Sequence, residues 1–101
     1  IDDLVSTGGS LVEAAAALKN FGARDIYAAV VDPVLAGPAV ERLQKSEIKE
    51  FITSDTIPIS QEKMIKKIKV LSVAPLLAEA IKQIHQHTSV NSLFANATVE
   101  A

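Results

Sequence analysis

The sequence has no cysteine, which excludes a disulfide framework and any thiolate-ligated metal centre. It has no tryptophan, one tyrosine and three phenylalanines, so a core must be built from Ala, Val, Ile and Leu. Neither sign of charge dominates: ten Lys and Arg stand against twelve Asp and Glu, a net charge of −2. That is too little positive charge for general nucleic-acid binding. No apolar run approaches the ~20 residues of a membrane span, and no secretory signal pattern is visible. Internal repeats and low-complexity linkers are also lacking. The chain therefore reads as at most one domain, expected in the cytoplasm, with no nucleic-acid or membrane partner. Aliphatic residues are what it has in quantity. Of 101 residues 49% are apolar, enough for a small core with a thin margin of stability.

Chemistry is concentrated in the opening stretch, Ile1 to Glu13. Two adjacent carboxylates, Asp2 and Asp3, precede a small-residue loop, Ser6-Thr7-Gly8-Gly9-Ser10, which leads into a helix. Ser10 and Glu13 have the S-x-x-E spacing of a capping box. The start of a helix carries unpaired N–H groups and the positive end of the dipole, and so favours an anion. Gly8 and Gly9 let the backbone close around such an anion, having no Cβ and tolerating φ > 0. Asp2 and Asp3 can accept hydrogen bonds from hydroxyls. An anion of phosphate size beside a polyol is a sugar phosphate. Taken singly, a Gly-Gly loop is more often only a turn, and paired aspartates are more often solvated acids. The ordered combination is far more specific. Ile1-Asp2-Asp3 also reads as the last step of a strand, so the chain is expected to be a C-terminal piece of a longer protein.

Hydrophobic periodicity organises the remainder. The spacing predicts a helix over Leu11–Phe21, with an apolar stripe of Leu11, Ala14, Ala15, Leu18 and Phe21 and with Gly22 as its C′ residue. The continuous run Ile26–Val31 predicts a strand covered on both faces, ended by Asp32-Pro33. Ala36-Gly37-Pro38 opens a second helix, with Val40 and Leu43 buried and Glu41 and Arg42 facing water. Glu50–Ser54 is a short strand, and Ser60 caps a helical turn through Met64. Lys63, Lys66, Lys67 and Lys69 read as a solvated basic face. Ile68–Val73 is a further strand, and Ala74-Pro75 opens a third helix with a stripe of Leu77, Ala80, Ile81 and Ile84. His85 and His87 do not share a helical face, so this pair is not expected to bind metal. Ser89–Phe94 reads as a closing turn with Leu93 and Phe94 docked on the body, and residues 95–101 as a frayed tail. This order predicts an α/β fold, a mostly parallel sheet with flanking helices. Ligands bind beyond the carboxyl ends of such strands, where the Asp2–Ser10 stretch lies.

The run D-D-x-x-x-T-G-G-S resembles the 5-phosphoribosyl 1-pyrophosphate signature of type I phosphoribosyltransferase-fold proteins. Four further segments are similar to ribose-phosphate pyrophosphokinases, also called phosphoribosyl pyrophosphate synthetases. Leu35-Ala36-Gly37-Pro38-Ala39 resembles their F-S-G-P-A segment, and Thr53-Ser54-Asp55-Thr56-Ile57-Pro58 their T-[DN]-T-I-P segment. Val70–Ile81 resembles the helix that ends their C-terminal domain, and Ser89–Phe94 their S-V-S-x-L-F terminus. The resemblance covers residues 1–94, which it implies are part of a phosphoribosyltransferase-like domain that binds ribose 5-phosphate.

The resemblance implies transfer of the β,γ-diphosphoryl group of ATP to the 1-hydroxyl of ribose 5-phosphate, with Mg²⁺ as cofactor. Asp2 and Asp3 would hold the ribose hydroxyls, and Ser6, Thr7, Gly8, Gly9 and Ser10 would surround the 5-phosphate. The ATP site and catalytic loop would lie mostly upstream of Ile1, and no metal ligand is expected in the chain itself. Homo-oligomers are implied, as is a regulatory phosphate site at Ser89 and Asn91. Departures from the family pattern are Ser6 for Asp, Ser10 for Thr, Asp32 for a common His and Asn91 for the second regulatory serine. The first bears on catalytic strength and the last on regulation. The alternatives are a nucleobase phosphoribosyltransferase, which would share the loop, and a non-catalytic regulatory relative that binds ribose phosphate.

Overall fold

Residues 1–95 are described by a computed structural model. The first strand, β1 (Asp2–Val5), leads through Ser6–Gly8 into the first helix, α1 (Gly9–Asn20). A second strand, β2 (Ile26–Pro33), and a second helix, α2 (Ala39–Lys45), follow. Then come β3 (Ile48–Ser54), a 3₁₀ turn (Gln61–Lys63), β4 (Ile68–Leu71), α3 (Ala74–His85) and α4 (Asn91–Ala95). The four strands form one sheet in the order β1-β2-β3-β4, parallel throughout. The register pairs Val5 with Pro33 and Ser54 with Leu71, so the carboxyl ends of the strands are aligned along one edge. The expected α/β architecture is present. Among the described residues no helix is long and apolar enough to cross a membrane.

Helix α1 packs on α2 and β2. Val5, Ala15, Ala28, Val30, Ala39, Leu43, Ile48, Phe51 and Ile68 form one buried cluster. Small residues let the layers approach closely: Ala15 of α1 and Ala39 of α2 are almost fully enclosed. The end of α1 is a Schellman motif. Ala23 N–H bonds the Leu18 carbonyl, Gly22 N–H bonds the Lys19 carbonyl, and Gly22 takes φ +98° as the C′ residue.

Several expectations are corrected. Helix α1 starts at Gly9 rather than Leu11, and its N-cap is Gly8 at φ +79° with no side-chain cap bond. Ser10 therefore lies within the first turn, and the Ser10/Glu13 capping box does not form. The predicted α1 stripe is only half used: Ala15 is buried and Leu11 half-buried, whereas Ala14, Leu18 and Phe21 are exposed. Among the described residues strand β2 is covered on one face, not both. Ile26, Ala28 and Val30 are buried while Tyr27 and Val31 are exposed, because both covering helices lie on the same side. Helix α2 starts at Ala39 with Pro38 as N-cap, β3 starts at Ile48, and β4 ends at Leu71. No residue of α3 is buried. Ser60 precedes the 3₁₀ turn without a side-chain cap bond.

Ser89–Phe94 includes most of the short helix α4, with Leu93 half-buried. The expected docking of Phe94 falls on a side chain outside the described set. So does the expected frayed tail, apart from Ala95, which ends α4.

The basic run is not simply solvated. Lys67 Nζ donates to the carbonyls of Leu43 and Ser46, each at 3.0 Å, and so completes the C-terminal end of α2. Lys63 Nζ donates to the Leu35 carbonyl at 3.0 Å. Leu35 is buried at φ +51°, so this bond supports a conformation that an L-residue rarely adopts.

Candidate functional site

The loop between β1 and α1 is shaped by a later stretch of the chain, Val34–Arg42. Val34 N–H and Leu35 N–H both donate to the Val5 carbonyl, at 3.0 and 3.3 Å. Ala36 N–H donates to the Ser6 carbonyl at 2.8 Å. Arg42 Nη1 donates to the Thr7 carbonyl at 3.0 Å. The Gly8 carbonyl accepts the first helical bond, from Val12 N–H at 3.0 Å. Consecutive carbonyls from Val5 to Gly8 are thus satisfied by protein. A trans peptide holds its C=O and N–H in opposite directions. Tying down these carbonyls turns the following N–H groups the other way. Among the described residues the N–H groups of Thr7, Gly8, Gly9 and Ser10 donate no hydrogen bond to protein.

Those free donors open onto a cleft of about 200 Å³. The cleft is lined by Asp2 and Leu4 of β1, the whole Ser6–Ser10 loop, and Leu11 and Val30. Ser6, Thr7 and Ser10 are exposed, so their hydroxyls reach solvent at its rim. Glycine is required at Gly8 by its left-handed φ. At Gly9 a Cβ would come within 3.3 Å of Arg42 Nη1. Backbone amides, hydroxyls and the start of α1 together make a receptor for a small oxyanion.

The two aspartates are not equivalent. Asp2 lines the cleft and Asp3 does not. Asp3 N–H donates to Asp2 Oδ1 at 2.8 Å, and this bond holds the Asp2 carboxyl below its ordinary value. Asp2 is thus an ionised acceptor at neutral pH, suited to hydroxyl donors. Ser89 and Asn91 lie at the start of α4, where Asn91 N–H donates to Ser89 Oγ at 3.2 Å. Among the described residues no three His, Asp or Glu side chains converge as metal ligands, and His85 and His87 take part in no such cluster.

Next to the cleft, the carboxyl end of the sheet carries a second polar cluster. Ser54 Oγ donates to the Val31 carbonyl at 2.7 Å, and Thr56 Oγ1 donates to Asp32 Oδ1 at 2.6 Å. Asp55 accepts Ser72 Oγ–H and, at 2.9 Å, Val73 N–H. These bonds tie the Thr53–Pro58 segment to β2 and to the start of α3.

The family model for the phosphoribosyl synthetase-associated domain matches residues 1–95. The chain belongs to that family. Among similar proteins is the ribose-phosphate pyrophosphokinase of Caldanaerobacter subterraneus subsp. tengcongensis. It is 57% identical over 94 residues, which are 93% of this chain and 30% of that protein. The enzyme of the same name from Bacillus subtilis is 48% identical over 95 residues, again 30% of its length. The crystal structure of phosphoribosylpyrophosphate synthetase from Mycobacterium smegmatis superposes with a TM-score of 0.83 at 37% identity. It covers 85% of this chain and 29% of that one. The chain thus spans about 30% of the length of the curated relatives it matches. The phosphoribosyl synthetase family assignment agrees with the motifs at Asp2–Ser10, Leu35–Ala39 and Thr53–Pro58.

Sequence reasoning missed the part played by Val34–Arg42 in shaping the loop. Leu35–Ala39 stood out as a motif, but its spacing from the loop carries no sign of contact. Arg42 has the periodicity of an exposed helical position, and it is exposed. Its link to Thr7 spans 35 residues.

Proposed function

We propose that this chain is the ribose 5-phosphate-binding part of a ribose-phosphate diphosphokinase. That enzyme transfers the β,γ-diphosphoryl group of ATP to the 1-hydroxyl of ribose 5-phosphate, giving 5-phosphoribosyl 1-pyrophosphate for nucleotide biosynthesis. The observation that carries the reading is the set of free N–H groups at Thr7, Gly8, Gly9 and Ser10, backed by carbonyls all bound elsewhere. The 5-phosphate accepts from these amides and from the hydroxyls of Ser6, Thr7 and Ser10. A phosphate dianion gains most from such charge-assisted bonds in a fixed array. Asp2 accepts from a ribose hydroxyl, with Asp3 assigned to the sugar by family resemblance. Held at both ends, the sugar presents its 1-hydroxyl in one orientation, the positioning that supplies much of the rate in phosphoryl-type transfer.

ATP is assigned mainly to residues upstream of Ile1. Mg²⁺ belongs to the proposal through the family. It commonly uses one or two carboxylates together with substrate phosphates, and the described residues offer it no cage of their own. A homo-oligomer in the cytoplasm, with a regulatory phosphate near Ser89 and Asn91, completes the reading.

The test is AMP formation from ATP and ribose 5-phosphate by the intact native protein with Mg²⁺. Sustained formation dependent on ribose 5-phosphate is expected. Phosphate-loop binding without AMP formation would favour a non-catalytic relative. Activity with a nucleobase and 5-phosphoribosyl 1-pyrophosphate instead would favour a phosphoribosyltransferase.

A further inference from the structure

We infer that Arg42 is a positioning residue for phosphate recognition, acting through the Thr7–Gly8 peptide; the inference rests on the anion-binding reading of the loop. Arg42 Nη1 donates to the Thr7 carbonyl at 3.0 Å. The same planar peptide carries Gly8 N–H, which a trans bond aims in the opposite direction. By holding the carbonyl on the α2 side, Arg42 aims the amide into the cleft. Ala36 N–H does the same for the preceding peptide through the Ser6 carbonyl, but with a backbone donor that no side-chain substitution removes. The Thr7–Gly8 peptide alone depends on a side chain.

Two features make this bond specific. Gly8 stands at φ +79°, a residue for which left- and right-handed regions are similarly accessible. Its flanking peptide plane is therefore weakly fixed by local sterics and needs an external hold. Gly9 lacks a Cβ where one would stand 3.3 Å from Arg42 Nη1, so the loop leaves space for the guanidinium. The Arg42 side chain has five N–H donors in a rigid fork, and its positive charge lies against the backbone of the loop. A dianion in the cleft is thus met by an aimed amide and by a cation behind it.

The test uses the intact native protein and three variants: Arg42→Gln, which removes the charge, Arg42→Lys, which keeps charge and a donor, and Arg42→Ala. Inorganic phosphate and ribose 5-phosphate are titrated separately, following the Gly8 amide by NMR, with thermal stability measured alongside. Arg42→Gln and Arg42→Ala are expected to weaken both ligands about tenfold, the scale of losing a hydrogen bond to a charged group. The unliganded Gly8 amide should shift, KM for ribose 5-phosphate should rise and KM for ATP should stay unchanged. Arg42→Lys should recover most of the affinity.

Unchanged affinity and an unchanged Gly8 amide in folded Arg42→Gln would overturn the inference. So would equal losses in the Lys and Gln variants that track a fall in melting temperature, because they indicate support of the fold alone. Inorganic phosphate bound at Gly8 and weakened in Arg42→Gln, without AMP formation by the native protein, would support Arg42 and overturn the diphosphokinase reading.

Discussion

Two neighbouring glycines in the loop do different work, and substitution should separate them. Gly8 has φ +79°, and an added Cβ would stand 3.7–3.8 Å from Ala39, an ordinary contact. Gly8→Ala therefore meets backbone strain rather than a clash, at a cost of roughly 1–2 kcal/mol for an L-residue in the left-handed region. Chemical denaturation should show that loss, and phosphate affinity should fall as the loop shifts; an alanine protein as stable as the native one would refute the assignment. At Gly9 the side chain in the way, among the described residues, is the flexible end of Arg42, 3.3 Å from the added Cβ. Gly9→Ala should leave stability nearly unchanged and displace the guanidinium. The sequence marked both glycines as needed for close approach. It could not say which required the positive φ, because that depends on where α1 begins. Nor could it distinguish Asp2 from Asp3, of which only Asp2 lines the cleft.

Helix α3 owes its start to a distant carboxylate. Asp55 accepts Ser72 Oγ–H and Val73 N–H, and Ser72 Oγ in turn accepts Ala74 N–H at 3.1 Å. The Ser72 hydroxyl bond, followed by the Val73 amide, holds the Asp55 carboxyl below its ordinary value of 3.8. A depressed carboxyl stabilises the folded form fully above its unfolded value. That contribution is lost as pH falls through the lowered folded value. The first turn of α3 should fray on acidification, seen as loss of amide-exchange protection at Val73 and Ala74. Asp55→Ala should fray it at neutral pH and abolish the pH dependence; a pH response that persists in the alanine protein would place the titrating group elsewhere. The order and type of the strands and major helices were legible from apolar runs and helical spacing, and for α1, β2, α2 and α3 from a Gly or Pro at a boundary; β3 and β4 have no such punctuation. Element ends were less legible. The Ser10/Glu13 pattern matched a capping box, yet Gly8 starts the helix because the loop is pulled down by Ala36 and Arg42, contacts that local sequence does not encode.

Across the whole molecule, apolar surface is distributed unevenly. One face of the sheet is covered by α1 and α2, while Tyr27, Val31 and Leu71 remain exposed, as do Leu76, Leu77, Ile81 and Ile84 of α3. The radius of gyration is 16.3 Å, above the ~13 Å of a compact chain of this length. Expressed alone, the 101-residue chain should bind an apolar fluorescent dye and scatter light as more than a monomer, since patches of this kind drive association. A dye-silent monomer would contradict this. The continuous apolar run of β2 suggested cover on both sides, and the described residues supply it on one. The bond from Arg42 to Thr7 also has a consequence in time. A ribosome delivers Thr7 35 residues before Arg42, an interval of about 2–7 s at ordinary elongation rates. Until then the Thr7 carbonyl lacks its partner, although those of Val5, Ser6 and Gly8 can already be met by residues 12 and 34–36, so the loop is translated before its last hold is available.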